Sequence, residues 1–520
     1  MGWTRRLCPR LGTLLVALGV VIFPCLAHTQ APAPAPSPPP AQAEPPTTGG
    51  FLGQPAGPSG PGAEAQPQPQ AIYPGGPLSV GTGTKAQDPF QGSPLLQMFE
   101  RSPEVIAPLR QLHFAPVPEE PFPFTVRLLL SAEEEFTDNV NQTQDNRKSE
   151  FRTRIVPGIS VRADRPWVNL GLSYAPEVFI PRNSIGDTEI NQNLSARALL
   201  WPTGRFQASL AEDYTDSHDF RDVQDPGSRQ TGANNFKQNV ATAEVAYLFP
   251  QLRTALAYTN IVNVDQQDVG GSDTRISHTV RPSAAYTDAR INLSGSAGVT
   301  RGDLDSSVST PYWRYDGDGL FLYVFTPALR AGLTGFYQYQ EPDSGLHFTM
   351  GRGRATGIFD LGPSGTLEVA AGADTFTRED DAAKVRPSFL FAYTYRFVAF
   401  AVTARVEQGL QNRAENVDNT GATFTRSAGI FLTSSFFRDL TMTLGGRYEE
   451  NTFLGTTVQS PTAGTKDRTW AVDAELRYLL VRSLFLTLAY DGTFRTSTQE
   501  GSGFNENRVR MGATYQYSLF

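Results

Sequence analysis

The five histidines, His28, His113, His218, His278 and His347, are the first residues to weigh for chemistry. No two of them stand at a metal-ligand spacing, and both cysteines, Cys8 and Cys25, fall at the extreme N-terminus. His218 opens a polar stretch beside Asp213, Asp216 and Asp219, where a cation or an acid–base pair could be built. An aspartate-rich solvated loop accounts for the same residues without any such role. His278 follows Ser277, but no matching constellation completes a nucleophile–base–acid triad. Gly351-Arg352-Gly353-Arg354-Ala355-Thr356-Gly357 misses the dinucleotide-binding spacing and lies in a strand-like stretch. The sequence therefore predicts no catalytic residue, no metal site, no cofactor and no enzyme. A net charge of −8 gives no reason to expect nucleic acid as a partner.

Charged residues inside the periodic segments say more. Arg127, Glu133, Glu135, Arg197, Glu244, Glu368, Asp374, Arg405 and Glu407 fall on polar faces. So do Arg447, Glu449, Asp473, Glu475, Arg477, Arg508 and Arg510. Both signs are present, and lysine appears only at positions 85, 148, 237, 384 and 466. Arginine's planar fork suits pairing with carboxylates across strands. A ring of one sign would argue for ion selectivity, and none is evident. Two readings stay open: a salt-bridged wall that tolerates water, and the lining of a transport lumen. Mixed charges with Tyr and Phe would also suit a sugar polymer.

These residues need elements to hold them, and the segments that carry them alternate with period two. Leu440, Met442, Leu444 and Tyr448 share one face, while Thr441, Thr443, Arg447 and Glu449 share the other. Trp470, Val472, Ala474, Leu476, Tyr478 and Leu480 likewise oppose Ala471, Asp473, Glu475 and Arg477. Strand side chains alternate between faces, so each segment has an apolar and a polar side. Short breaks such as Pro202-Thr203-Gly204-Arg205 and Gly362-Pro363-Ser364-Gly365 alternate with long polar stretches such as 218–235 and 453–467. Aromatics gather near segment ends, where interfacial girdles belong. Mean hydropathy is −0.30, which excludes a bundle of membrane helices. The pattern predicts an all-β transmembrane antiparallel up-and-down β-barrel, in which every backbone group is paired by closure. Twenty segments run from 124–138 to 507–520, and the weakest, 317–326, is diluted by Gly317 and Gly319. Losing that segment with its hairpin would leave eighteen strands. Twenty strands tilted at about 40° would enclose a cylinder roughly 40 Å across.

Arg5, Arg6 and Arg10 precede an apolar run from Leu11 to Phe23, and small residues end at Ala27. This predicts a cleaved signal peptide at 1–27. Residues 28–120 are rich in Pro, Ala, Gly and Gln and are expected to form a disordered periplasmic linker, with the barrel at 121–520. The chain ends with Tyr515, Tyr517, Leu519 and Phe520, an alternating final strand resembling the signal read by the barrel assembly machinery. Leu519 shares the apolar register and Phe520 does not.

The first hairpin runs Ser131-Ala132-Glu133-Glu134-Glu135-Phe136-Thr137-Asp138-Asn139-Val140 and then Phe151-Arg152-Thr153-Arg154-Ile155-Val156-Pro157-Gly158. It resembles the opening of the putative beta-barrel porin 2 group: an acidic strand, an aromatic, Asp-Asn, and a later Pro-Gly. Phe136 stands where that group more often has Tyr. The resemblance implies a Gram-negative outer-membrane barrel with its N-terminal arm in the periplasm. It also implies outer-membrane lipid as surroundings and a link to exopolysaccharide export, with polysaccharide as an expected partner. Physically, Asp138-Asn139 would start a polar loop at the outer rim, and Pro157 would lie at a bulge or lack a ladder partner.

Overall fold

The computed structural model describes residues 124–520 apart from 141, 143, 145–146, 183–187, 219–234, 268–270, 306–310, 344–345, 363, 398, 413–421, 438, 455–463, 482, 500–501 and 520. The predicted signal peptide, the linker and Phe520 lie outside the described residues. The first strands are β1 Phe124–Thr137, β2 Glu150–Arg165, β3 Val168–Tyr174, β4 Glu177–Pro181, β5 Glu189–Leu200, β6 Phe206–Ser217 and β7 Asn235–Leu248. Next come β8 Leu252–Gln267, β9 Gly271–Thr287, β10 Ile291–Asp305, β11 Tyr312–Thr326, β12 Leu329–Pro342, β13 Phe348–Asp360 and β14 Gly365–Arg378. The last are β15 Lys384–Arg396, β16 Phe400–Asn412, β17 Ala422–Phe437, β18 Leu440–Phe453, β19 Lys466–Val481, β20 Leu484–Ser497 and β21 Phe504–Ser518. Each pairs antiparallel with its sequence neighbours, except that β3 and β4 do not pair with each other, and β1 closes on β21. Because β3 and β4 share one place between β2 and β5, the 21 segments make a closed barrel of twenty strand positions. Among the described residues no helix is long and apolar enough to cross a membrane.

The β11 segment is a full strand, so the count is twenty rather than eighteen. Gly319 opposes Gly295 on one side and Gly335 on the other, and Gly335 opposes Gly353. The diluted pattern there is thus one row of small residues across four strands, and the backbone ladder continues through it. The break between β3 and β4 has a different cause. The registers on either side place Pro157 opposite Pro176, and neither has an N–H for the ladder. Pro157 still faces Leu130 of β1, so it lacks a ladder partner on one side only.

Burial is inverted relative to a soluble domain. Leu128, Leu130, Leu170, Leu172, Leu333, Ile430, Val472 and Met511 are exposed on the outer face, whereas Arg152, Asp213, Arg314, Arg354, Asp374 and Glu449 are buried on the inner one. Contiguous exposed apolar surface of this extent is a membrane face. Aromatic bands flank it. Near the short turns Tyr393, Tyr395, Phe397 and Phe400 stack in series, with successive centroids 6.2, 4.4 and 4.1 Å apart. Near the long connections Tyr448 meets Trp470 at 4.5 Å, and Trp313, Tyr315 and Tyr339 form a second group.

Turns at the short-connection rim are locally specified. Asp288 Oδ1 accepts the N–H groups of Arg290 and Ile291, both at 2.7 Å, while Tyr286 donates to Oδ2 at 2.9 Å. Those backbone donors hold its carboxyl below the usual aspartate range. A lowered folded-state pKa contributes stability above the unfolded value and loses it as pH falls through the folded value. Protection of the Arg290 and Ile291 amides, relative to their intrinsic exchange rates, should therefore fall on acidification below about pH 4 in the native protein. In Asp288→Asn it should already be lower at neutral pH and insensitive to acid. Equal acid sensitivity in both proteins would remove Asp288 as the cause.

Candidate functional site

The strand registers place all sixteen charged residues singled out above on the inner face of the barrel. Arg127, Glu133 and Glu135 alternate with outward Leu128, Leu130 and Phe136 on β1. Arg197 approaches Asp213 at 3.8 Å, and Glu244 pairs with Arg253. Arg405 binds Glu407 at 2.7 Å, Arg447 binds Glu449, and Arg477 binds Glu475 at 2.8 Å. Glu368 lies opposite Ile358 on the same face. Asp473 and Asp491 oppose each other across β19 and β20, and Arg508 and Arg510 both reach Asp491, at 3.3 and 2.9 Å. The inner wall is therefore a lattice of ion pairs rather than a ring of one sign.

The pairing runs unbroken through the closure of the barrel. Glu135 binds the buried Arg152, whose guanidinium lies 4.2 Å from the Phe179 ring. Arg154 bridges Glu133 at 3.1 Å and Glu177 at 2.6 Å. At the outer rim the Asp-Asn pair of the first hairpin ties β1 to the last hairpin. Asp138 accepts from the Asn507 backbone N–H and side-chain amide, each at 2.7 Å, and Asn139 donates to Asn505 O at 2.9 Å. Thr137 donates to Glu506 at 2.9 Å, and Gln142 donates to the same carboxylate. Asn139 is fully buried, so this pair is a seam clasp as well as the start of a loop. Phe136 is on the outer face, and Gly158 lies under Leu129 beside Pro157. Tyr515, Tyr517 and Leu519 are all on the exposed outer face, and Leu519 N–H donates to Val126 O.

A second feature was not foreseen from the sequence: one hairpin end turns inward. The β15–β16 ladder stops at the pair Phe389–Gln408; two residues further the register would set Pro387, which has no N–H for the ladder, against Leu410. Above that point β16 stays with β17 but leaves β15. Leu410, Ala422 and Phe424 then pack on Phe348, Met350 and Phe376, which belong to the inner face of β13 and β14. The freed edge of β16 is satisfied by side chains instead of a strand. Asp374 accepts the Leu410 N–H at 2.5 Å and two bonds from Arg352 at 2.9 Å. Arg352 also donates to Leu410 O at 2.5 Å, and Arg354 donates to Gln408 O at 2.9 Å. A Cβ at position 409 would lie within 3 Å of all three side chains, so Gly409 is what lets them close on the edge.

Arg352 and Arg354 are the residues missed, since the Gly-Arg-Gly-Arg stretch was weighed only against nucleotide binding. Its period of two, with both arginines on one face, was the available signal. His218, His278 and His347, the histidines among the described residues, lie apart from this cluster. His278 bonds Tyr258 on the outer face at 2.9 Å, His347 precedes β13 and meets Glu379 at 3.0 Å, and His218 leans on Asn191. Among the described residues no group of His, Cys, Asp and Glu could hold a metal ion.

Residues 397–517 match the putative beta-barrel porin 2 family. That stretch contains most of the final six strands, from the inward-turning hairpin to the closing strand, whereas the porin 2 resemblance of the first hairpin lies outside it. No curated protein matches the chain. Among solved structures, it is similar to the outer membrane protein opdK from Pseudomonas aeruginosa at 12% identity and a TM-score of 0.36, covering 76% of this chain and 99% of that one. A BenF-like porin from Pseudomonas fluorescens Pf-5 gives 12% identity and a TM-score of 0.40, covering 76% and 99%. The FrpB iron transporter from Neisseria meningitidis (F5-1 variant) gives 10% identity and a TM-score of 0.47, covering 76% and 82%. The porin 2 match and the closed twenty-position fold describe a porin-like outer-membrane-type barrel.

Proposed function

We propose that the protein is an outer-membrane channel whose lumen passes polar solutes or an extended polysaccharide. One observation carries this reading: the inner face is lined by ionised side chains of both signs while the apolar side chains face outward. A closed barrel needs no such lining to be stable, and a charged interior of this size holds water. In this reading the sixteen residues line the lumen, and the inward hairpin of β16 and β17 narrows it on one side. The mixed charges suit a neutral or zwitterionic chain with many hydroxyls better than a simple ion. The periplasmic arm and a contact with the barrel assembly machinery through the last strand belong to the same proposal.

The test is conductance of the full-length protein in planar bilayers. Stable steps are expected, with weak preference between cations and anions, and with reversible block by a neutral oligosaccharide. Correctly folded protein that never conducts would overturn the channel. One observation favours that second reading, a non-conducting barrel: the Arg352–Asp374 pair and its hairpin fill inner space that an open pore would leave free.

A further inference from the structure

Among the described residues, the outer face carries a concentration of incompletely compensated positive charge just beyond the aromatic band on the long-connection side. Arg426 on β17 and Arg468 on β19 both bind the one carboxylate between them, Glu450 on β18, at 2.9 and 2.8 Å. Their side chains remain 54% and 59% exposed, so the shared carboxylate does not exhaust them. Lys466, two residues beyond Arg468 on the same face, is exposed and has no ion-pair partner among the described residues. Arg386 of β15, opposite the inner-face Asp374, lies behind this patch rather than on the outer face. It lies 4.6 Å from the Phe424 ring, which Arg426 approaches at 5.6 Å, and it has no carboxylate partner among the described residues. Elsewhere on this rim the outward arginine is neutralised: Arg301, 5.4 Å from Trp313, binds both Asp303 and Asp343.

Height fixes what such a patch meets. Arg468 and Glu450 are each two residues above the partners Trp470 and Tyr448, which mark the interface. Two residues of a tilted strand rise roughly 5 Å. The cations therefore stand at the level of lipid headgroups, above the hydrocarbon and outside the lumen. Guanidinium groups at that level pair best with phosphate, whose oxygens match their fork.

We propose that Arg426, Arg468 and Lys466 form a binding site for the phosphorylated headgroup of an outer-leaflet lipid. The site is independent of whether the lumen conducts. Glu450 lies between the two arginines and offsets part of their charge.

Retention of a bisphosphorylated diglucosamine lipid (lipid A) by the full-length protein in phosphatidylcholine nanodiscs, read by native mass spectrometry, tests this. A fully dephosphorylated form of the same lipid and inorganic pyrophosphate are run alongside. The wild-type protein should retain the phosphorylated lipid and release the dephosphorylated one. Neutralising each basic residue should weaken retention roughly fivefold, and the triple variant R426Q/R468Q/K466Q on the order of 100-fold. Glu450→Gln should tighten it, a sign that a merely destabilised barrel would not give. Equal retention of both lipid forms, or no loss in the triple variant, would overturn the proposal. Pyrophosphate that displaces the lipid in simple one-to-one fashion at similar concentration would also overturn it, since the site would then hold free phosphate. So would preferential binding of an anionic polysaccharide.

Discussion

Replacing Asp374 by alanine is expected to destabilise the barrel by about 3–5 kcal/mol and to release the inward end of the β16–β17 hairpin. The magnitude follows from what is left behind. Asp374 and Arg352 are both almost completely buried, and the guanidinium binds the carboxylate bidentately, with no other counter-charge on it among the described residues. Without it a buried cation keeps only the Leu410 carbonyl, and the Leu410 N–H loses its acceptor. Asp374→Asn should lose less, because an amide oxygen can still accept from Leu410. Urea unfolding of the membrane-reconstituted protein, followed by the tryptophan signal, measures the first effect. Conductance measures the second: Asp374→Ala should give larger or noisier steps than the parent at equal protein folding. A stability change below about 1 kcal/mol would show that the pair is replaceable by water and that the hairpin is held by its apolar contacts.

Those contacts are not negligible. Leu410, Phe424, Phe348, Met350 and Phe376 are all buried in one cluster, and burying a large apolar side chain is worth roughly 1.5–3 kcal/mol. The carboxylate is decisive because of direction rather than amount. Apolar contact is satisfied by many placements of the hairpin, whereas the Asp374 acceptor and the Arg352 and Arg354 donors meet backbone groups at one place on it, the edge of β16 at Gln408 and Leu410.

How much of this could be read from the sequence depends on the range of the interaction that set it. The strand faces were legible because period-two alternation is local; Trp470, Val472 and Leu476 announced an outer face, and Asp473, Glu475 and Arg477 an inner one. Strand number was legible for the same reason, since each turn is punctuated within a few residues. The inward hairpin was not. Pro387 is visible in the sequence, but its effect depends on being opposite Leu410, which only the β15–β16 register decides. Arg352 reaches Leu410 across 58 positions, and Asp138 reaches Asn507 across 369, so neither partner could be chosen from spacing. The Asp-Asn motif is visible as the start of a polar loop, while its buried clasp to the last strand exists only once the barrel closes. The proline pair at 157 and 176 likewise became a single break only once the two registers brought them together.

Closure itself gives the other large effect. Glu135→Ala is expected to cost about 3–5 kcal/mol and to slow formation of the closed barrel. Glu135 binds the buried Arg152 at 2.8 Å, and Arg152 is otherwise held over the Phe179 ring. On its other side Glu135 opposes Arg510, which with Arg508 serves Asp491. Removing one carboxylate from this chain leaves Arg152, Arg508 and Arg510 facing one another with fewer counter-charges, in the place where the first and last strands must meet. The charge-preserving Glu135→Asp should recover part of the loss, whereas Glu135→Gln should recover little, because its amide keeps the shape without the charge. The readout is the fraction of compact barrel on unheated gels after refolding for a fixed time, together with its urea midpoint. Were Glu135→Gln as stable as the parent, the Glu135 charge would not be what holds Arg152, and the seam would be secured by the Asp138–Asn507 clasp and its backbone ladder instead.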